Sequence, residues 1–495
     1  MKQLLKLSSL TITAVLLFSC EKYLEHVPDM RTEINTVDKV AKLVGSAYPG
    51  HGFQAMAETY SDNVCDKGPT SEANLIAEYS DLYFWKDLPG SGNNTPTQYW
   101  NACYEAIASA NQALEAIERY DFDSSVLPYK GEALVARAYA HFMLVTFFAK
   151  AYVIGGENDS PGIPYVDEPE TVAIKTYSRG TVKSVYERIE NDLTEGISLL
   201  QGGKWQVPKY HFTPSAAHAF ASRFFLFKGD YDKVIHHANQ VFTNGDYRGN
   251  IRPEATTLKD MASAIRTAEY TKADKNYNLL IGQTYSIYQR QAAGYYSRYG
   301  IGRTVYLENF GTPTVAGATF RWNGGSYRSS LHYWPQKYGE YWYVTNAAAN
   351  TGQPYIMVPL LTADEALINR AEAYVRKKDF TQALADINLF ASTRIDNYNP
   401  ASHTVTIEKA RAYFSLGEGQ EEEALIQTVL QFKKIAFITE GIRWLDILRH
   451  RIPVVHNFIA FDGTETFETL GPDDNRRMFQ LPQEVTLSGI ELNPR

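Results

Sequence analysis

Cysteine is scarce in this chain: Cys20, Cys65 and Cys103 are the only three in 495 residues. Three are too few for a disulfide framework, and neither a C-x-x-C pair nor an H-E-x-x-H helix is present to build a zinc site. No G-x-x-x-x-G-K-[ST] and no G-x-G-x-x-G opens a helix, so phosphate cradles are unsupported. No G-x-S-x-G nucleophile elbow occurs. Carboxylates are plentiful, but a glycosidase dyad is defined by a distance in space, and spacing along the chain nominates none. Basic residues are outnumbered, 48 Lys+Arg against 56 Asp+Glu, with no long basic run. That removes the electrostatic footprint of a nucleic-acid binder. The apolar run from Leu7 to Phe18 has 12 residues, too short to span a bilayer. What remains, at 44% hydrophobic and 21% charged, is an ordinary folded protein. It reads as a binding or scaffolding chain with no cofactor and no metal, and not as an enzyme.

The N-terminus reads as an export signal. Lys2 and Lys6 precede the apolar run, which ends at Leu17-Phe18-Ser19-Cys20. This resembles the lipobox of bacterial lipoproteins, and implies removal of residues 1–19 and acylation of Cys20 as the lipid anchor. Two or more acyl chains hold a protein stably on a membrane where one does not. Residues 20–35 are polar and read as a tether. Oxidation outside the cytoplasm could pair Cys65 with Cys103; the preferred reading is two separate buried thiols.

Helical signals fill most of the rest. A helical pattern begins near Thr36. Residues 61–95 read as a long loop, too aromatic at Tyr79, Tyr83, Phe84 and Trp85 to be disordered. Thr95-Pro96-Thr97-Gln98 and Thr213-Pro214 are helix starts, with Thr as N-cap and Pro at the first helical position. Gly131 to Lys150 is apolar nearly all round and predicts a buried helix, and another spans roughly Val182 to Leu200. Leu226-Phe227-Lys228-Gly229-Asp230-Tyr231-Asp232-Lys233-Val234 then aligns with Val375-Arg376-Lys377-Lys378-Asp379-Phe380-Thr381-Gln382-Ala383, with Asn239 opposite Asn388. Each copy is a helix, a short polar turn, a capping Asp, an aromatic and a second helix, which resembles the tetratricopeptide (TPR) pattern. Thr362-Ala363-Asp364-Glu365 is a capping box. Helices near Glu421–Ile438 and Gly441–Arg451 follow, and Phe458–Arg495 reads as irregular. The adjacent His236 and His237 are expected to be satisfied or solvated, not ligands.

Between the helical parts lies Tyr285–Tyr343, with 16 aromatics in 59 residues, twice the chain-wide 13%. Gly, Asn and Ser punctuate it, and no helical or strict period-2 pattern runs through it. Rings offer flat area at low entropy cost and their polar tips offer hydrogen bonds. Such a stretch suits a polar ligand with an apolar face. Composition selects Trp85, Tyr295, Tyr296, Trp322, Asn323, Tyr327 and Arg328 as ligand-binding candidates, the rings to stack on sugar faces and Asn323 and Arg328 to bond hydroxyls.

The fold class that follows is mainly α: an α-α superhelix of TPR-like helix pairs carrying an irregular, aromatic-rich, minor-β excursion. The divisions are residues 36–249 for an N-terminal helical part, 250–355 for the excursion, and 356–495 for a C-terminal helical part completing the same body.

Several stretches jointly resemble the SusD/RagB family of outer-membrane lipoproteins of Bacteroidetes-type bacteria. They are Cys20-Glu21-Lys22-Tyr23-Leu24; Trp100, Tyr104, Ile107 and Asn111; Gly131-Glu132-Ala133 with Arg137; Gly162-Ile163-Pro164-Tyr165-Val166; Arg179-Gly180-Thr181 with Tyr186, Ile189, Asp192 and Leu193; and Glu365 with Arg370-Ala371-Glu372-Ala373. The most specific is Glu440-Gly441-Ile442-Arg443-Trp444-Leu445-Asp446-Ile447-Leu448-Arg449. On a helix, Arg443 could pair with Asp446, and Asp446 with His450, while Trp444 packs inward. The family's usual N-P-G-Y ending is here Asn493-Pro494-Arg495. The resemblance implies a lipoprotein at the outer membrane, facing the exterior. It would bind an oligosaccharide and hand it to a SusC-like TonB-dependent barrel. The alternatives are a peptide-capturing RagB-like lipoprotein and a TPR-type interaction scaffold.

Overall fold

The computed structural model describes residues 33–69, 77–88, 90–170, 172, 175–286, 297–327 and 332–495. Helix starts follow the capping chemistry of the sequence. Thr36 caps α1 (Val37–Val44) by accepting from the Lys39 amide. After α2 (Gln54–Tyr60) and α3 (Ala77–Tyr83), α4 (Pro96–Arg119) opens with Thr95 Oγ1 accepting from Gln98 N at 3.2 Å. α5 (Leu127–Phe148) is buried on every side from Gly131 onward and packs between α4 and α6 (Val182–Leu199). Two glycines allow the α5–α6 approach. A Cβ on Gly131 would stand 2.6 Å from the Gly196 carbonyl oxygen, and one on Gly196 2.8 Å from that of Gly131. Beside this contact Arg137 donates to both oxygens of Asp192, each at 2.7 Å.

The internal repeat is real in three dimensions. α7 (Pro214–Lys228) and α8 (Tyr231–Gln240) form one hairpin. After α9 (Ser263–Tyr270) and α10 (Arg303–Tyr306), α11 (Ala363–Arg376) and α12 (Phe380–Ser392) form the other. Asp230 and Asp379 adopt nearly the same backbone angles, φ/ψ −86/76 and −85/71, and cap their helices. The preceding residue is left-handed in both copies, Gly229 at φ 74 and Lys378 at φ 60. Glycine does this freely; lysine does it at a cost of roughly 1 kcal/mol. α7 and α8 pack against α11. Arg223 of α7 grips Glu365 of α11, with Nε–Oε1 at 2.6 Å, so the Thr362 box forms only its Thr362-to-Glu365 N half, at 3.1 Å. Arg370 joins Asp386 to Asn239, which explains the repeat-aligned asparagine of the first copy.

α13 (Pro400–His403), α14 (Ile407–Tyr413), α15 (Glu421–Ala436) and α16 (Ile442–Arg449) complete the helices of the described residues. Trp444 is fully buried, as expected. The within-helix pairs expected around it do not form. Arg443 takes Asp62, at 2.8 Å for both contacts. Asp446 takes Lys433 at 2.7 Å and Arg449 at 3.0 Å, and His450 takes Glu372 at 3.0 Å. Apart from Arg449, three residues on in the same helix, these partners lie on neighbouring helices and on the loop after α2, and they reach the buried helix inside the core.

Among the described residues four small antiparallel sheets decorate the body: β1 (Cys65–Asp66) with β3 (Tyr299–Gly300); β2 (Asn278–Tyr285), β7 (Thr351–Thr362) and β6 (Glu340–Asn346) in that order; β4 (Gly324–Tyr327) with β5 (His332–Pro335); and β8 (Val454–Ile459) with β9 (Glu465–Leu470). The last corrects the expectation of an irregular tail. Its turn is Asp462-Gly463, with Gly463 at φ 85, a strong hairpin signal between alternating strands. The divergent C-terminus is well tied. Asn493 Nδ2 donates to the carbonyls of Phe148 and Phe479, both at 2.9 Å, and Arg495 pairs with Asp87. Cys65 and Cys103 are free thiols, Cys103 buried and Cys65 partly so.

Candidate ligand-binding site

Trp85 is not available to a ligand, and its selection is corrected. Its ring is 1% exposed, its Nε1 donates to the Tyr60 carbonyl at 3.1 Å, and it stacks on His456 at 4.4 Å. His456 stacks in turn on Tyr83 at 4.2 Å, and Tyr83 on Tyr299 at 4.4 Å. The aromatic loop is thus a four-ring bolt that fixes β8 to the segment after α3. Burying that much ring area contributes stability, not recognition.

Trp322 and Asn323 do come together on a small, open pocket of about 40 Å³, beside Glu254, Arg266 and Gln336. The Trp322 indole is half-buried. It lies 4.7 Å from the Phe310 ring and 5.3 Å, edge-on, from Tyr306. Gly324 seats it: a Cβ there would stand 2.3 Å from Trp322 Cζ2. Asn323 Nδ2 donates to Glu254 Oε2 at 2.7 Å and to its carbonyl at 3.0 Å, so this amide holds the wall in place. Arg266 is 8% exposed. Its Nη1 and Nη2 donate to the Met261 carbonyl and to Gln336 Oε1, while its buried Nε–H has no partner among the described residues. Burial pulls this guanidinium below its ordinary value. Lys337, although it lines the pocket, is spent on the carbonyls of Ala436 and Ile438 and on Glu440, at 2.7–2.9 Å. The pocket therefore offers an indole wall beside guanidinium, amide and carboxylate groups. That is chemistry for a hydroxylated ligand with an apolar face. Of the other candidates, Tyr327 ends β4 opposite His332, while Tyr295, Tyr296, Arg328 and Cys20 lie outside the described residues.

A second aromatic gathering was legible in the sequence only as part of the long stretch. Tyr285, Tyr355 and Tyr341 are directly opposite one another across β2, β7 and β6. Tyr285 and Tyr355 stack at 4.7 Å, and His51 stacks on Tyr285 at 5.2 Å. At the sheet edge Tyr341, Trp342 and Tyr343 are 38%, 54% and 55% exposed. Among the described residues no helix is long and apolar enough to cross a membrane, and no group of His, Cys, Asp or Glu is arranged to hold a metal ion.

Residues 22–226 match the model of a family described as starch-binding, associating with the outer membrane, in its SusD-like form. No curated protein sequence matches the chain. Among solved structures, a SusD superfamily protein of Bacteroides vulgatus superposes with a TM-score of 0.67 at 18% identity, covering 93% of this chain and 99% of that one. One of Bacteroides thetaiotaomicron gives 0.66 at 18%, covering 93% and 100%. A SusD-like carbohydrate binding protein of Bacteroides vulgatus gives 0.63 at 15%, covering 92% and 96%. The family match over residues 22–226 takes in the motifs around Trp100 and Arg137, and the fold is shared with these SusD-like structures over nearly the whole length of the chain.

Proposed function

We propose that this chain is a cell-surface glycan-binding lipoprotein, anchored through Cys20 on the outer membrane. It captures oligosaccharides and delivers them to a TonB-dependent transporter. The observation that carries the reading is the pocket where Trp322, Asn323 and Arg266 converge. A sugar ring has an apolar C–H face and a rim of hydroxyls. An indole takes the first, while guanidinium and amide groups take the second. The family description and the carbohydrate-binding neighbour point the same way. The helical body, with its stacked hairpins, is the rigid support such a site requires.

The test is calorimetric titration of the ligand selected on a glycan array. Trp322→Phe and Arg266→Met are expected to weaken that ligand roughly tenfold each, the equivalent of about 1.4 kcal/mol. Melting temperature is followed in parallel, since Trp322 also packs against Phe310. Full-strength binding in both folded variants removes this pocket from the glycan site.

A further inference from the structure

The outer edge of the three-stranded sheet, where β6 pairs with no further strand among the described residues, breaks a rule that natural proteins keep. Edge strands present unpaired backbone groups and are normally blunted by charge, lysine above all. Here Glu340 is the one charged residue in all three strands, and it accepts a hydrogen bond from Ser286 Oγ at 2.5 Å. From Tyr341 to Ala363 there is no Asp, Glu, Lys, Arg or His at all, in a chain that is 21% charged. Yet every residue of β6 is exposed. A register shift between Val344 and Asn346 is present, but no gatekeeping charge accompanies it.

Side chains alternate across the strand, so Trp342 and Val344 share one face and Tyr341 and Tyr343 the other. Trp342 lies diagonally over Gly352, where a Cβ would stand 2.6 Å from its Nε1. One side of the indole rests on bare backbone; among the described residues no other ring covers it. We infer that this edge is a second ligand-contacting surface, on which Trp342 stacks against a ring of a neutral glycan chain. The neutrality of the sheet selects the ligand: an anionic or sulfated glycan finds no counter-charge anywhere along Tyr341–Ala363, and a polyol needs none. This rests on the glycan reading above and narrows it to uncharged chains.

The experiment uses the full-length chain purified in detergent, titrated with neutral hexaoses (malto-, cello-, xylo- and mannohexaose) and with the acidic hexagalacturonate. For the neutral hexaose bound best, Trp342→Ala is expected to weaken binding roughly five- to tenfold, with Trp342→Phe recovering most of it. The melting temperature stays put because the ring is exposed. Unchanged affinity in a Trp342→Ala/Tyr343→Ala double variant, while Trp322→Phe still weakens binding, overturns this inference and leaves the glycan reading standing. A wild-type preference for hexagalacturonate overturns it too. So does binding of an unrelated uncharged peptide in preference to every hexaose, which marks β-strand addition at the edge. A wild-type chain that binds none of the hexaoses overturns both readings together.

Discussion

Arg223 and Arg394 are 2% and 3% exposed in the helical body, gripping Glu365 and Asp364, and Arg449 and Lys433 are likewise buried on Glu372 and Asp446. The outer edge of the β2–β7–β6 sheet is the reverse, exposed at every residue of β6 and carrying no charge beyond Glu340. Composition alone would put the charges outside and the tryptophans inside. Each inversion has a separate cause. Buried ion pairs contribute little net stability against well-packed apolar groups, but removing one partner is costly, so they fix which helix meets which. An exposed uncharged aromatic edge contributes almost nothing to folding, and its presence is explained by what it touches.

The comparison breaks most visibly in the body. Glu372 is fully buried and accepts from Arg449 at 2.6 and 2.8 Å and from His450 at 3.0 Å. Burial alone would raise its carboxyl; the charges of Arg449 and then His450 overcome this and hold it well below the ordinary range. Glu372→Ala strands a buried guanidinium and is expected to cost about 3–5 kcal/mol, read as a fall in the denaturant midpoint. A loss below about 1 kcal/mol shows that water reaches Arg449 and that the pair is not part of a dry core.

A smaller effect comes from the first repeat copy. His218 and His237 face each other with Nδ1 atoms 2.9 Å apart, and His237 stacks flat on Phe225. Burial first, then neighbouring histidines, holds them at about 4 and about 3, against an ordinary 6.5. Both are thus neutral in the fold, while the unfolded chain takes up protons as the pH falls below 6.5. Their contribution is fully present above that value and is lost as pH falls toward 4. Between pH 7 and 5 the loss is expected to be on the order of 1–2 kcal/mol per histidine. His237→Phe, which keeps the stack, should flatten that part of the melting-temperature curve. An unaltered pH slope would show that water reaches both rings.

Caps, repeat and buried helix were legible because each is local. Thr95, Thr213, Asp230 and Asp379 cap the helices expected of them, and α5 is buried as its apolar circumference requires. The partners of Arg443 and Asp446 were not legible, because Asp62 and Lys433 reach them only through tertiary packing. Trp85 misled for a related reason: a loop rich in rings serves equally to bolt a hairpin or to hold a ligand, and the choice depends on whether His456, 371 positions later, stacks on it. Trp322 and Asn323 were legible as a pair because they are adjacent. Their partners Glu254 and Arg266 were not, since nothing in their local sequence marks them. For the β8–β9 hairpin the signal was present in Asp462-Gly463 and simply outweighed by the polar strand that follows.

The smallest expected effect tests the β6 edge. Val344 is 46% exposed on the same face as Trp342. Val344→Lys adds the charge that edge strands normally carry, and buries nothing. Stability is expected to move by less than about 0.5 kcal/mol, since surface changes away from packed features do so. The body and the β6 edge are then energetically separate, and the missing charge is a matter of ligand chemistry. Should scanning calorimetry instead show a loss approaching that of Glu372→Ala, the edge would be packed against something that stabilises it, and its exposed rings would need a structural explanation before a functional one.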